Sequence, residues 1–371
     1  MGIGDCSPSP CPSASAEFPS FGASGERSRT RRAKSAASLN HLHPPVNHLA
    51  RLIAALCLGT LLLLAANPAA QTPAKPVLKI TPGKVIVPTD AMRRPWGELV
   101  SLDMAKRTGS FRKEGTDELL SFIVLPYAEL LHHATLGDLQ DFRIGERAIF
   151  RLHENEAGEW VWLTYIQDEM NMMNGHKEYF YVDAIDGEKG QVTCTQANFD
   201  QSFVREKGIV IETDKETRYW KAGQPAEFAD IKVGDKLRTK THGIGKGKTR
   251  VAWEVFLDDE SLLKFQAEQK AVHTARIVAE GAPGYVNEAK GSELQLTLFN
   301  EGSEQTKLLK AGMKVRVAPA GVDRKPTTAA LEATVSSAKT TGRECDVTLT
   351  VAGATSGFQP TGLARVWIAK E

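Results

Sequence analysis

The chain has 371 residues, more than one typical domain, and at 42% hydrophobic and 25% charged its composition is ordinary for a globular protein. Six of the 46 basic and three of the 45 acidic residues lie within 1–70, which leaves 40 basic against 42 acidic over 71–371. With no basic excess there to neutralise phosphates, the charge balance argues against a nucleic-acid partner.

The first 45 residues are rich in Ser, Pro and Arg and lack apolar periodicity, the composition of a disordered extension. Residues 52–66, LIAALCLGTLLLLAA, form an apolar run of fifteen, shorter than the ~20 residues a bilayer span needs. Arg51 precedes it and small residues follow at Asn67-Pro68-Ala69-Ala70-Gln71. This is the layout of a secretory signal peptide over about 46–70, with cleavage after Ala70 and a translation start near Val46. The expected location is therefore extracytoplasmic, periplasmic or secreted, and a membrane is a partner only if the leader stays uncleaved as an anchor. Leu56, directly before Cys57, argues against a lipoprotein anchor. Residues 71–95 read as a linker.

Beyond the linker the chain repeats itself. ELLHHATLGDLQDFRIGER (129–147) aligns with RYWKAGQPAEFADIKVGDK (218–236) without a gap at an offset of 89. Asp141 matches Asp230, Phe142 matches Ile231, and Gly145 matches Gly234. Downstream, VWLTYIQDE (161–169) resembles AWEVFLDDE (252–260), with Trp162 set against Trp253. Each unit carries short β-branched and aromatic runs divided by Gly, Asp and Asn: SFIVLPY, RAIFRLH and WVWLTYI in the first, QVTCTQ, GIVIET, KLRTKT and RVAWEVFL in the second. Such spacing predicts antiparallel all-β modules. Small OB-like barrels would close the sheets and protect their edges. The shared Ile/Val-Gly-acid element suits a tight turn.

The fold expected is therefore all-β: tandem small antiparallel β-barrel modules after a cleaved leader, with short connecting helices. Module one covers 96–175, module two, its repeat, 176–270, and module three 271–371. The third has a duplication of its own. GSELQLTL (291–298) resembles GRECDVTL (342–349), and GMKVRVA (312–318) resembles GLARVWIA (362–369).

One stretch invites a chemical reading. QDEMNMMNGH (167–176) holds three methionines and a histidine, and four of the six histidines after residue 70 belong to the first unit: His132, His133, His153 and His176. Thioethers with imidazole suit Cu(I), which makes Met170, Met172, Met173 and His176 candidate ligands for copper. The resemblance to small periplasmic copper chaperones goes no further than fold and ligand type. Against it, the second copy sets SLLK opposite MNMM, so Met stands where Leu can stand and packing accounts for it. His132-His133 reads as a solvated turn or a partly buried polar cap.

Other features are weaker. Asp168-Glu169 and Asp258-Asp259-Glu260 lack the spacing of a calcium loop and suit helix N-termini, where acids offset the macrodipole. THGIGKGKTR (241–250) departs from the P-loop spacing and reads as a hairpin loop. Trp162, Trp253 and Trp367, each on a final strand, read as a shared core anchor. Cys194 and Cys345 leave two options open, a disulfide or two buried free thiols. The leading functional expectation is a non-catalytic protein with no cofactor, binding or structural at the cell envelope, its partner a protein or surface polymer. Copper binding is the alternative, and hydrolysis of an envelope polymer a second one.

Overall fold

The computed structural model describes residues 92–368, apart from 156 and 244–246. The extension, the leader expected over 46–70 and most of the linker lie outside the described residues, as do three positions of the glycine–lysine loop. Among the described residues no helix is long and apolar enough to cross a membrane.

The first barrel is built from β1 (Trp96–Asp103), β2 (Thr108–Lys113), β3 (Leu119–His132), β4 (Thr135–Leu136), β5 (Arg147–Glu154) and β6 (Trp160–Asp168). Strands β1, β2 and β3 follow one another antiparallel, and β5 returns beside β1. β6 closes the ring, antiparallel to β5 and parallel to β3. That strand order is the one expected of an OB-like barrel. β3 is long enough to serve the barrel with its first half and a β4 hairpin with its second. Its pairing with β6 slips between Val124 and Glu129, around Pro126, which has no N–H to give to a ladder.

A short helix, α1 (Glu169–His176), leads into the second barrel: β7 (Glu178–Asp186), β8 (Gln191–Asn198), β9 (Val204–Glu212), β10 (Arg218–Lys221), β11 (Gln224–Ala226), β12 (Lys236–His242) and β13 (Thr249–Phe256). The order repeats, with β12 beside β7 and β13 parallel to β9 and then to β10. What β3 does as one strand, β9 and β10 do as two. The repeated motif has the same role twice. Asp141 and Asp230 each accept the backbone N–H three residues earlier, capping a short 3₁₀ turn. Gly145 and Gly234 sit at φ of 92° and 91°, a region open to glycine. Glu146 and Asp235 then accept the N–H of Arg143 and Lys232. The motif is a turn-maker before the return strand.

The helix α2 (Asp259–Glu280) joins the second barrel to the third. It is longer than the short connector the sequence suggests and runs through position 270, because no glycine or proline interrupts it before Gly281 and Pro283. Its inward stripe is Leu262, Gln269, His273 and Ile277, and it meets all three barrels in turn. Leu262 enters the second core, Gln269 bonds the first barrel, and His273 bonds Glu301 of the third.

The third barrel comprises β14 (Ala282–Lys290), β15 (Glu293–Leu298), a one-turn helix α3 (Ser303–Thr306), β16 (Lys314–Ala320), β17 (Leu331–Thr341), β18 (Glu344–Val351) and β19 (Leu363–Ile368). It closes in the order β14-β15-β18-β17-β16-β19, antiparallel throughout. Leu296 pairs with Val347 and Arg316 with Trp367. One and the same shift in sequence carries each of these residues onto its own partner, so the two halves are related by a pseudo-twofold axis through both pairs. The duplication read from GSELQLTL and GRECDVTL is thus expressed in the ladder register.

Each barrel has its own core. Phe111 and Phe150 stack in the first at 3.9 Å between centroids, with Phe122, Leu163 and Ile166 around them. The first and third barrels meet on Leu125, Tyr127, Tyr285 and Phe299.

Candidate functional site

The densest group of buried ionisable side chains lies between the first two barrels, and it starts from a hairpin turn. β3 and β4 are joined by His133-Ala134, both at positive φ (48° and 61°), the geometry of a two-residue type I′ turn. Neither is a glycine, asparagine or aspartate, the residues that take up that conformation most readily. Asp168 holds it: Oδ2 accepts the His133 N–H at 2.7 Å while Oδ1 caps α1 through the Asn171 N–H at 2.8 Å. The second copy repeats the device with Ala222-Gly223, the Ala222 N–H on Asp258 Oδ2 at 2.5 Å and the Ser261 N–H on Asp258 Oδ1 at 2.8 Å. Both acids stand at helix N-termini, as the sequence suggested, and there they act as caps and as turn clamps.

Holding the turn in this way brings His132 inward. It is buried, not a solvated turn residue. Its Nδ1 lies 3.1 Å from Gln269 Oε1, an acceptor, and its Nε2 lies 2.5 Å from the Lys240 ammonium, a donor. These partners fix a neutral ring protonated at Nδ1. Burial and the charge of Lys240 hold its pKa well below the usual histidine value. Lys240 Nζ also lies 3.0 Å from Glu146 Oε1 and 4.0 Å from Asp168 Oδ2. Both acids are inaccessible to solvent. Burial raises the Glu146 pKa, Lys240 opposes that, and Asp168 adds to it.

Two arms extend from this centre. His133 Nε2 lies 3.4 Å from Glu254 Oε2, and Arg218 binds Glu254 from the other side. Burial disfavours the Glu254 carboxylate, but His133, Lys240 and Arg218 together hold its pKa down at about 2. The second arm is Glu169, which accepts from Arg147 (2.9 Å) and Arg250 (3.1 Å) on Oε1 and from the Thr241 hydroxyl (2.6 Å) on Oε2. Arg147 belongs to the first barrel and Arg250 and Thr241 to the second, so one carboxylate ties both.

The expected copper ligands are placed differently. Met170, Met172 and Met173 are buried in the second core against residues such as Phe180, Leu237 and Val255, with Ile149 from the first barrel. His176 is exposed on the last turn of α1. The thioethers act as the sequence comparison with Leu implied, filling space between two barrels. Of the other first-unit histidines, His153 is buried with its Nε2 2.8 Å from Thr164 Oγ1. A different donor set, His132, His133 and Asp168, does come within 4.8 Å. It has the wrong surroundings for a cation. The Lys240 ammonium already occupies the His132 lone pair, and both oxygens of Asp168 accept backbone N–H groups.

The tryptophans also differ from expectation. The extra, bulged residue in each closing pair is Thr164 in the first copy and Trp253 in the second, so Trp162 and Trp253 are not equivalent positions. Trp162 lines the seam to the third barrel, Trp253 stacks on His242 at 4.7 Å, and Trp367 donates to the Ala279 carbonyl. None anchors a barrel core. Cys194 and Cys345 are free and buried, which closes the disulfide option.

Sequence reasoning missed Lys240, Glu146 and Glu254. Lys240 sits in KLRTKT, which reads as a strand with one wet face, yet residues 237–241 are buried on both faces. A lysine and an arginine on a strand otherwise made of Leu and Thr were the available signal. Comparison with protein families and with curated proteins returned no match.

Proposed function

We propose that this protein is an exported, non-catalytic β-barrel scaffold that binds at, or forms part of, the cell envelope, its partner a protein or a surface polymer. The observation that carries this reading is the use made of the buried charges: they tie barrel to barrel. Lys240, Glu146, His132 and Glu169 fasten the first barrel to the second. Arg324 and Glu301 fasten the third to the first, with Arg324 donating to the Pro126 carbonyl. Such groups give a stiff body with surfaces fixed relative to one another, which suits binding.

Two surfaces support the binding reading further. The β8–β9 hairpin tip exposes Phe199 and Phe203, and apolar rings at a protruding tip suit contact with a partner. A cleft of about 570 Å³ between the first and third barrels is lined by Trp367, Met104, Lys325 and the Arg107–Asp138 pair. Its size is that of a ligand pocket. Asp138 there accepts from both terminal nitrogens of Arg107, and its pKa is held well down by Arg324 and Arg107 against the effect of burial. An acid so held is a poor proton donor.

The test has two parts. Cells expressing the tagged full chain are fractionated, and purified protein is incubated with isolated envelope material. The expected result is extracytoplasmic protein that co-sediments with the envelope and releases no soluble fragments. Retention in the cytosol would overturn the location, and catalytic release of saccharide or peptide fragments would overturn the non-catalytic role.

A further inference from the structure

We propose that Lys240 and Glu146 form an intramolecular amide bond that staples the second barrel covalently to the first. The two side chains come from different barrels and meet with Nζ 3.0 Å from Oε1. Their backbones are pinned beside them. Glu146 and His242 form an isolated antiparallel bridge, and the Gly243 N–H bonds the Gly145 carbonyl at 2.8 Å. Nucleophile and acceptor are therefore held in place by the fold before any reaction, which is the main requirement for an intramolecular condensation.

The surrounding groups supply what the chemistry needs. An ammonium is not a nucleophile until it sheds a proton, and the His132 Nε2 lone pair, which already faces Nζ at 2.5 Å, can relay the protons that the nitrogen loses. A carboxylate is a poor electrophile. The solvent-free setting of Glu146 favours its neutral acid form, and the nearby Asp168 charge pushes the same way. The Arg143 N–H, 3.0 Å from Oε2, polarises the carboxyl group and stabilises negative charge on that oxygen. Water is excluded, so the reverse hydrolysis lacks its reagent.

The step balances without any other reactant. One Lys240 proton passes to Glu146 Oε1, giving a neutral amine and a neutral acid, and the amine attacks Glu146 Cδ through its nitrogen lone pair. The C–N bond forms, the nitrogen passes a second proton to His132 Nε2, and His132 hands it to the Oε1 hydroxyl, which leaves as water as the C–O bond breaks. The net change is one ammonium and one carboxylate converted to one amide and one water. No oxidation occurs.

The repeat supplies a contrast. The ladder sets Lys240 and Arg151 at matching positions, each the last pair before the bulge. A guanidinium stays protonated and cannot attack. Glu146 corresponds to Asp235, His132 to Lys221 and Lys240 to Arg151, so neither copy holds the three groups by itself. The constellation exists only where the barrels meet. It also fits a chain whose two described cysteines, Cys194 and Cys345, are unpaired, leaving its seams without a disulfide.

Mass spectrometry of the denatured full chain tests this directly. The expected mass is lower than the sequence requires by one water. Tryptic digestion should leave Lys240 uncut and yield one branched peptide joining the segments that contain Glu146 and Lys240. Lys240→Met should restore the full mass. His132→Gln, which keeps a hydrogen-bonding side chain, should slow bond formation by roughly 10²-fold or more, the usual contribution of a general base. Full mass in the wild type with cleavage after Lys240 and both peptides unlinked would overturn the proposal. That measurement does not depend on whether any variant folds. A bond from Lys240 to Asp168 instead would overturn the choice of acceptor.

Discussion

Arg324 places one guanidinium nitrogen against both carboxylate oxygens of Glu301, at 2.6 and 2.8 Å, in the seam between the third barrel and the first. Both side chains are buried, so neither charge has water to fall back on. Arg324→Met leaves Glu301 buried and unpaired, and should cost about 3–5 kcal/mol. The double variant Arg324→Met with Glu301→Gln should recover much of that loss, because no isolated charge remains. Urea unfolding of both variants checks this. Equal losses in the single and double variants would mean the pair acts through packing.

The two turn clamps should differ in weight although they are the same device. Asp258 is half-buried and caps α2, so Asp258→Ala should cost about 1 kcal/mol, as cap removal usually does. Asp168 is fully buried. Asp168→Ala also strands the His133 N–H away from water, which adds about 1–3 kcal/mol. Thermal or urea unfolding of the two variants side by side should rank Asp168→Ala as the more damaging.

Much of the architecture was legible because repetition and alternation are local signals. The gap-free match of 129–147 with 218–236 gave the tandem barrels, and Gly145 and Gly234 do sit at matching turns. Less visible was β2, TGSFRK, where Phe111 alone points inward and no alternation can be counted. The inner stripe of α2 was hidden because Gln269 and His273, polar residues, are what it buries. Trp162 and Trp253 misaligned because matching two identical residues slipped the register by two, whereas the ladder sets Thr164 against Trp253 at the same bulge in both copies. The seam network could not be read at all. Burial of Glu146, Lys240 and Glu254 comes from docking one barrel on another, and composition within a strand carries no record of that contact.

The two described cysteines should be chemically silent in the folded protein. Cys194 is inaccessible in the second core, and burial pushes its thiol up to about 12. Cys345 is likewise buried, and burial raises its thiol pKa. Since the thiolate is the reactive form, a thiol-specific reagent at neutral pH should label neither until denaturant is added. Rapid labelling of native protein at Cys194 would contradict the packing of the second barrel.

Acid should loosen the seam between the first two barrels in two steps, and the sign follows from which state binds protons first. His132 has a folded pKa well below its usual value, so on acidification the unfolded chain takes up that proton first, near the ordinary value of about 6.5. Its contribution to stability is complete above that pH and declines as the pH falls from there toward the folded value. Glu254 behaves likewise in a lower window. Its pKa is about 2 when folded, so its contribution is complete above the unfolded value of about 4.3 and is lost as pH falls through about 2. At neutral pH that second contribution is on the order of 3 kcal/mol. Stability measured by urea unfolding between neutral and strongly acid pH should therefore fall twice. His132→Gln should flatten the upper decline and leave the lower one, and Glu254→Gln should do the reverse. A wild-type profile flat down to the carboxylate range would show that His132 titrates alike in both states and is not enclosed by Lys240.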